Sequence, residues 1–333
     1  MTDTKFDVLG IGNAIVDIIA RENDDFLASH DMVKGSMMLI DEAQADSIYN
    51  DMGPATEISG GSAGNTIAGV ASFGGRAAYF GKVADDELGR IFRHDIRAIG
   101  VHFETAPLTE GLGTARSMIL VTPDGERTMN TFLGACGALG PDDIDAEIVG
   151  ASAITYMEGY LWDPEEAKKA FLKAADIAHA RGRKTALTLS DSFCVDRYRD
   201  EFIGLLRDNH IDYLFANEAE LKSLYQTSDF QSAVDAIRKD CALAAVTIGE
   251  KGALAIAGDA VYESSAFPVE EIVDLTGAGD LFAAGFMTAL TRDKSLDDAL
   301  ELGCLAASEV ISHLGARPNT SLKELAGQKG IEL

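Results

Sequence analysis

Short apolar segments alternate along the chain with segments whose apolar residues recur every three or four positions. The helical spacing covers residues 64–73 and 86–99, and each segment is followed by a glycine, which is typical of a helix C-terminus. Another helix is predicted to begin at Asp163-Pro164, with Asp163 as its cap. Buried strands are predicted at 6–12, 77–83, 153–157, 185–189, 213–215 and 244–248. This alternation predicts an α/β fold with a mostly parallel sheet covered by helices.

One region departs from this rhythm. Residues 114–135 contain "TARSMILV", the turn "TPDG" and "ERTMNTFLGA", a pattern that predicts a β-hairpin. Together with residues 15–40, it predicts a small second sheet outside the main layer. We interpret residues 1–333 as a single domain with a discontinuous lid, built from about 15–40 and about 105–135.

Composition narrows the class of protein. Apolar residues make up 47% of the 333 residues, enough for a large core, and no uninterrupted apolar run is long enough for a membrane helix. The N-terminus lacks the basic and apolar regions of a signal peptide. Four widely spaced cysteines predict reduced thiols in a cytoplasmic protein, and six scattered histidines give no zinc motif.

The charge balance bears on partners. The chain carries 28 basic and 54 acidic residues, a formal net charge of −26. Nucleic acid binding rests on clustered Lys and Arg, so a nucleic acid partner is not expected. Small anions remain open, because local backbone donors can overcome a global negative field.

The strongest chemical pattern is "DLTGAGDLFAAGF" at residues 274–286. Gly277, Ala278 and Gly279 precede an apolar helix, whose first N–H groups form a site for an anion. Asp280 stands one residue further, where a carboxylate would repel a bound anion unless it accepts a proton from the reacting group. Oriented amides beside a base suit phosphoryl transfer to an alcohol. The alternative is that Asp280 is an ordinary acid in the first helical turn.

Two N-terminal motifs point to hydroxyl binding. "GIGNAIVD" resembles part of a dinucleotide fingerprint, but Ile15 replaces the third glycine, so a nicotinamide site is not expected. Asn13 and Asp17 are candidates to bind hydroxyls, with turn capping as the alternative for Asp17. "SGGSAGN" places Gly61 and Asn65 at a helix start, where a substrate could lie against the backbone or the loop could simply end a strand.

Two later motifs lie at predicted strand ends. Asn217 and Glu220 of "FANEAEL" follow a strand, and Glu220 is a candidate to organise Mg²⁺ through water. A capped helix with acids in its first turn explains the same residues. "VTIGEKGA" could line a nucleotide through its Thr and Gly residues or be a plain hairpin. A Walker motif is absent from the sequence.

In this order the motifs resemble those of the PfkB, or ribokinase-like, kinase family. "GGSAGNTIAGVASFGGRAAYFGKVADDELGR" and "DLTGAGDLFAAGF" match its two signatures, and "NEAE" its Asn-x-x-Glu pattern. The resemblance implies a three-layer α/β/α sandwich with a β-sheet lid, Mg²⁺·ATP as donor and Asp280 as base. It also implies an anion hole at Gly277–Gly279, and ATP contacts that include Gly279. Further nucleotide contacts are expected at Asn217, Thr247, Gly249 and Gly252. K⁺ is a further candidate cofactor, at Asp274 and Thr276 beside the loop 308–315.

Within that family, the motifs are most similar to those of adenosine kinases. This similarity implies that Asp17, Gly61 and Asn65 hold a ribose and that "GERTMNTFLGA" places Arg127 near the transferred phosphate. "GYLW" places Leu161 over the base. The expected reaction is phosphorylation of the 5′-hydroxyl of a purine nucleoside, adenosine before others. Alternatives are a ribose, fructose or related sugar kinase and, less favoured, a silent binding protein. The expected partners are these small molecules, and the expected state is a monomer or homodimer.

Overall fold

The computed structural model describes residues 4–333 and contains two sheets flanked by helices. In the described residues the strands are β1 (Phe6–Ile11), β2 (Ile15–Arg21), β3 (Met37–Leu39), β4 (Ala55–Ser59), β5 (Ala77–Phe80), β6 (Ala115–Val121), β7 (Arg127–Phe132), β8 (Ser152–Glu158), β9 (Lys184–Thr188), β10 (Tyr213–Asn217), β11 (Leu243–Thr247), β12 (Ala253–Ala257) and β13 (Ala260–Ser264). The helices are α1 (Asp24–Ser29), α2 (Glu42–Asp51), α3 (Ser62–Ser72), α4 (Glu87–Ala98), α5 (Ala146–Gly150), α6 (Glu165–Ala180), α7 (Ser192–Arg207), α8 (Glu218–Leu224), α9 (Phe230–Asp240), α10 (Ala278–Thr291), α11 (Leu296–Val310) and α12 (Leu322–Gln328).

The main sheet has eight strands in the order β13-β12-β11-β10-β9-β8-β1-β5. All neighbours from β11 to β5 pair in parallel, whereas β12 and β13 add an antiparallel edge. The predicted mostly parallel α/β sheet is therefore confirmed. The predicted strand at 244–248 is β11. The turn after it leads into β12, which pairs antiparallel with β11.

Alternation along the strands separates two apolar layers. In β1, Val8 packs into one cluster with Phe286 of α10, whereas Leu9 packs into the other with Phe171 of α6. Side chains on successive strand residues point to opposite faces, so every strand of the main sheet except the edge strand β13 contributes to both clusters. Helices α3, α4, α10, α11 and α12 contribute residues to the first cluster, and α6, α7, α8 and α9 contribute to the second. The result is the expected three-layer α/β/α sandwich.

The second sheet has five strands in the order β3-β7-β6-β2-β4. The predicted hairpin is present as β6 and β7, which pair antiparallel from Arg116 opposite Phe132 to Val121 opposite Arg127. Strand β4 also belongs to this sheet and lies outside the segments assigned to it from the sequence. Val16 and Met118 of the second sheet lie in the same apolar cluster as Val8 of the main sheet.

One predicted helix start is wrong in detail. Helix α6 begins with Pro164 as its N-cap and has no side-chain cap, whereas the Asp163 carboxylate contacts Arg197 and Tyr198 of α7. The tertiary contact to α7 thus takes the carboxylate that the local pattern had assigned to the helix terminus. Among residues 4–333, the helices nowhere reach the length and apolar content that crossing a bilayer requires.

Candidate active site

The parallel strands bring distant parts of the sequence to one edge of the main sheet. Asn13 follows β1, Glu158 ends β8, Asn217 ends β10 and Thr247 ends β11. The carboxyl edge of an open parallel sheet is where such folds bind ligands. Asp280, at the N-terminus of α10, is electrostatically coupled to Glu158 and hydrogen-bonded to α3, so this helix terminus lies at the same edge.

The turn before α10 requires glycine at one position. Gly277 has φ of 82°, and a Cβ there would lie 2.8 Å from the backbone oxygen of Ala316. Helix α10 then starts at Ala278, and the first helical hydrogen bond runs from Leu281 N to Gly277 O at 2.8 Å. The amides of Gly277, Ala278 and Gly279 therefore belong to the open end of a 14-residue helix, where an anion is stabilised.

Asp280 is held by helix α3. Ser62 Oγ donates to Asp280 Oδ1 at 2.6 Å, and Asn65 Nδ2 donates to Asp280 Oδ2 at 3.1 Å. Burial raises the pKa of Asp280 to about 6, and these two hydrogen bonds act in the opposite direction. A carboxylate with this pKa is ionised at neutral pH and is basic enough to accept a proton from a positioned hydroxyl group.

Asp274 ties the turn to two other segments. Its Oδ1 accepts from Thr276 N at 3.0 Å, and its Oδ2 accepts from Gly315 N at 2.9 Å. Arg127 of β7 forms an ion pair with Asp274 Oδ2 at 2.6 Å and also donates to Thr276 Oγ1 at 3.1 Å. The second sheet therefore contacts the turn directly, while a role of Arg127 near the transferred phosphate stays a prediction.

The start of α3 approaches β2 closely because of two glycines. A Cβ on Gly60 would lie 2.3 Å from Asp17 Oδ2, and a Cβ on Gly61, where φ is 85°, would lie 2.1 Å from Asn13 O. Burial raises the pKa of Asp17 to about 7, against the opposing effect of Arg317 and Arg127. The structure thus brings Asp17, Gly61 and Asn65 together, and their binding of hydroxyl groups stays a prediction.

Asn13 has a partner that the sequence did not reveal. Its Nδ2 donates to Glu158 Oε1 at 2.7 Å, and Glu158 Oε2 accepts from Ala63 N at 2.9 Å. Burial raises the pKa of Glu158, which is 1% exposed, to about 7. Asn13 is itself buried, so its contact with a substrate stays a prediction, whereas its bond to Glu158 is observed.

The candidate nucleotide residues lie along β10 and β11. Asn217 and Glu220 form a capping box, in which Glu220 N donates to Asn217 Oδ1 and Asn217 N donates to Glu220 Oε2, both at 2.9 Å. Burial raises the pKa of Glu220 to about 7. Thr247 ends β11, and Gly252, with φ of 103°, lies so close to Ser264 that a Cβ would be 2.0 Å from its backbone oxygen. Gly249 has φ of 63° and open space around it.

Leu161 does not present a surface in this structure. It lies in the short 3-10 helix Gly159–Trp162 and is 1% exposed, packed in the second apolar cluster. The large apolar side chains exposed nearby are Tyr160, whose hydroxyl donates to Ser190 O, and Phe193. A role for Leu161 beside a ligand therefore stays a prediction.

The carboxylates of the site offer few free positions to a metal ion. Within the described chain, no group of three or more His, Cys, Asp or Glu side chains could hold a metal ion. Both Glu220 oxygens accept from Asn217, and contact of Glu220 with Mg²⁺ through water stays a prediction. Both Asp274 oxygens are engaged, and Arg127 already supplies a cation there, so K⁺ at Asp274 and Thr276 stays a prediction.

Three residues of the site were not singled out from the sequence: Ser62, Glu158 and Arg317. Ser62 and Arg317 are joined to the site only by contacts between segments far apart in the chain. Glu158 carries a weak signal, because it is a charged residue at the end of a fully buried strand. A carboxylate in that position is seldom buried without partners.

These carboxylates predict an unusual dependence of stability on pH. Burial raises the folded-state pKa of Asp280 to about 6 and those of Asp17, Glu158 and Glu220 to about 7. The folded protein therefore binds more protons than the unfolded chain between about pH 4 and pH 7. We expect the free energy of unfolding, measured by urea titration without ligand, to fall as pH rises through that window.

The variant Glu158→Gln isolates one of these groups. Between about pH 4 and pH 7, this variant should reduce the slope of the free energy of unfolding against pH by up to about 1.4 kcal/mol per pH unit. Glu250→Gln, which removes an exposed carboxylate, is the matched control and should leave the slope unchanged. Carboxylates with a lowered pKa, such as Asp86 and Asp212, change the stability below about pH 4. A slope in Glu158→Gln equal to that of the unmodified protein would contradict the assignment.

Comparisons with known proteins give one family match and several similar relatives and solved structures. The model of the family described as "pfkB family carbohydrate kinase" matches residues 34–323. A solved structure of an adenosine kinase from Sinorhizobium meliloti is 57% identical, with a TM-score of 0.92, and the match covers 98% of this chain and 99% of that one. A probable sugar kinase protein from Rhizobium etli CFN 42 is also 57% identical, with a TM-score of 0.93 and the same coverage. The adenosine kinase of Saccharomyces cerevisiae is 25% identical, over 92% of this chain and 94% of that protein.

Proposed function

Because the chain belongs to the pfkB family of carbohydrate kinases, we propose that it transfers the γ-phosphoryl group of ATP to the 5′-hydroxyl of a purine nucleoside. Adenosine is the preferred acceptor, and the products are AMP and ADP. The observation that carries the proposal is Asp280, held by Ser62 and Asn65 one residue beyond the amides of Gly277–Gly279. The 57% identity to the adenosine kinase of Sinorhizobium meliloti supports adenosine as acceptor.

The acceptor binds between the second sheet and α3. Asp17 accepts hydrogen bonds from the ribose hydroxyls, while Asn65 and the backbone at Gly61 position the sugar. Asn13 fixes the floor of this pocket through its bond to Glu158. Leu161 is assigned to the base side of the acceptor, which requires the segment 159–162 to move from its buried position. Tyr160 and Phe193 are exposed after the ends of β8 and β9, and they are candidate aromatic surfaces for a base.

The transfer step needs one base and several donors. Asp280 takes the proton of the 5′-hydroxyl as its oxygen forms a bond to the γ-phosphorus, and the bond from that phosphorus to the β-bridging oxygen breaks. The electron pair leaves with ADP. The amides of Gly277, Ala278 and Gly279 stabilise the negative charge that develops on the transferred group. Arg127 adds positive charge beside the turn.

The donor is Mg²⁺·ATP, bound along the ends of β10 and β11. Asn217, Thr247, Gly249 and Gly252 form the nucleotide side, with Gly279 at the phosphates. Magnesium arrives with ATP as part of the substrate, and Glu220 contacts it through water. No step depends on K⁺ at Asp274 and Thr276.

The second sheet acts as a lid that keeps water from the transferred phosphoryl group. Its contact to the catalytic turn through Arg127 supports this role. We assign the reaction to the cytoplasm, supported by four free and buried cysteines among the described residues. A monomer and a homodimer are both compatible with this proposal, and neither nucleic acid nor a membrane is a partner in it.

A second candidate is phosphorylation of a free sugar such as ribose or fructose. The structure from Rhizobium etli, described as a probable sugar kinase and as similar to this chain as the adenosine kinase is, favours keeping it. The same base and donors would act in both reactions, so the distinction lies in the acceptor pocket alone.

The test is a measurement of ADP release with Mg²⁺·ATP against adenosine, inosine, guanosine, cytidine, ribose and fructose. We expect kcat/KM for adenosine to exceed that for ribose by at least about hundredfold, because contacts to the base lower the energy of the transition state. A heat-inactivated sample and ATP without acceptor are the controls. Turnover of a free sugar with all nucleosides inert would replace adenosine by that sugar and keep the role of Asp280.

A further inference from the structure

Arg317 reaches the site from the far end of the sequence. It lies in the loop between α11 and α12, and its Nε donates to Asn65 Oδ1 at 3.4 Å. Its Nη1 donates to the Ser59 hydroxyl at the end of β4. One guanidinium group therefore joins the C-terminal loop, helix α3 and the second sheet.

The contact determines how the Asn65 amide is oriented. An amide group has one acceptor oxygen and one donor nitrogen, so fixing the oxygen fixes the nitrogen. With Oδ1 directed at Arg317, Nδ2 is directed at Asp280 Oδ2, 3.1 Å away. The opposite orientation would place the amide oxygen against a carboxylate and the amide nitrogen against a guanidinium, and both contacts would be repulsive.

We propose that Arg317 is a positioning residue for the base: by holding Asn65 Oδ1, it directs Asn65 Nδ2 onto the carboxylate of Asp280. This inference rests on the proposed phosphoryl transfer. Arg317 touches neither Asp280 nor, in the proposed reaction, the transferred group, so it acts through Asn65.

Local packing fits a guanidinium group at this place. A Cβ on Gly64 would lie 3.6 Å from Arg317 Nη2, an ordinary van der Waals distance, so the planar group packs against the first turn of α3. Within the described residues, Nη2 is buried and has no hydrogen-bond partner. Burial lowers the pKa of Arg317, and Asp17 and Asp95 oppose this effect.

The charged groups around Asp280 show whether Arg317 acts on its pKa directly or through another residue. The pKa of Asp280 is set by burial, by Ser62 and by Asn65. The other titratable groups that interact with Asp280 are Asp17 of β2, Tyr156 and Glu158 of β8, Tyr160 and Glu220. Arg317 interacts with Asp17, Asp95 and Tyr79, and Arg127 interacts with Asp17. Arg317 can therefore reach the base through the Asn65 amide or through the charge of Asp17, and only the first path is lost in Asn65→Ala.

The test compares pH profiles of kcat in four proteins: the unmodified chain, Arg317→Gln, Asn65→Ala and the double variant. In Arg317→Gln, kcat at pH 7.5 should fall about tenfold, the effect of one lost hydrogen bond to a charged group. Its acidic limb should move to higher pH by about half a unit to one unit, because the donor that lowers the pKa of Asp280 is no longer held. Asn65→Ala should show the same shift, and adding Arg317→Gln to it should move the limb no further.

Arg292→Gln is the matched control. Arg292 is a partly buried arginine at the end of α10 whose Nη2 donates to Phe73 O at 2.9 Å. The Arg292→Gln variant should be less stable, but the acidic limb of its kcat profile should match that of the unmodified enzyme. If Arg317→Gln also lost stability but kept the acidic limb of the unmodified enzyme, Arg317 would contribute packing alone, and the proposal would be overturned. A further shift on the Asn65→Ala background would overturn it as well, because Arg317 would then act directly.

The profiles use whichever acceptor the panel identifies, so failure with adenosine leaves this comparison intact. A ¹³C NMR titration of the Asp280 carboxyl group in the unmodified and Arg317→Gln proteins measures the same pKa without turnover. An unchanged pKa in that titration would overturn the inference while leaving the kinase assignment unaffected. Absence of turnover with every acceptor would instead overturn the proposed function.

Discussion

Replacing Asp280 by Asn should lower kcat by about two to four orders of magnitude, the usual contribution of a general base. The amide is nearly the same size as the carboxylate and can still accept from Ser62 Oγ, so the fold and the start of α10 should persist. KM for the acceptor should change little, because the acceptor hydroxyls are held by Asp17 and α3 rather than by the base. The measurement is steady-state ADP release at pH 7.5, alongside circular dichroism.

The control for this experiment is Asp259→Asn, which removes an exposed carboxylate in the turn between β12 and β13. It should retain full turnover. If Asp280→Asn retained near-normal kcat, Asp280 would be an ordinary acid of the first helical turn and the base would have to be sought elsewhere.

Replacing Asp274 by Ala should destabilise the protein strongly. Its side chain is 1% exposed, and that of its ion-pair partner Arg127 is 13% exposed. Removing one partner leaves a buried charge without compensation, which costs about 3–5 kcal/mol. The amides of Thr276 and Gly315 lose their acceptor in the same change. We expect a lower free energy of unfolding by that amount in urea titrations at pH 7.5.

A double-mutant cycle with Arg127→Met isolates the ion pair. If the pair accounts for the loss, Asp274→Ala combined with Arg127→Met should be less destabilised than the sum of the two single variants. Additive losses, or a loss below about 1 kcal/mol for Asp274→Ala alone, would show that the turn is held by its backbone rather than by the pair.

The main sheet was predictable because its strands are buried on both faces. Strand β8 is buried along its whole length and has four apolar residues among its seven, and helices such as α4 show clear apolar periodicity. The catalytic turn was predictable for a local reason as well, since glycines beside a carboxylate stand within one short segment. Strand β4 gave no such signal, because in "ATEIS" only Ser59 is fully buried.

The remaining parts of the site depend on contacts across the whole chain. Asn13 and Glu158 are 145 positions apart, and Asn65 and Arg317 are 252 positions apart. Neither pair has a spacing that a sequence pattern can show, since only the crossovers of the sheet bring the segments together. The Asp163 cap failed for the same physical reason: a partner on α7 outweighed the local preference.

The contacts of Asp280 and Arg317 also order events during protein synthesis. Ser62 and Asn65 leave the ribosome long before Asp280, and all strands of the main sheet, which ends at Ser264, precede the catalytic turn. Arg317 follows the catalytic turn in the sequence and is synthesised after it. In a nascent chain, the strands of the main sheet are therefore synthesised before the catalytic turn and its base. Incomplete products of translation that stop before residue 274 lack both the turn and the base, so they cannot consume ATP.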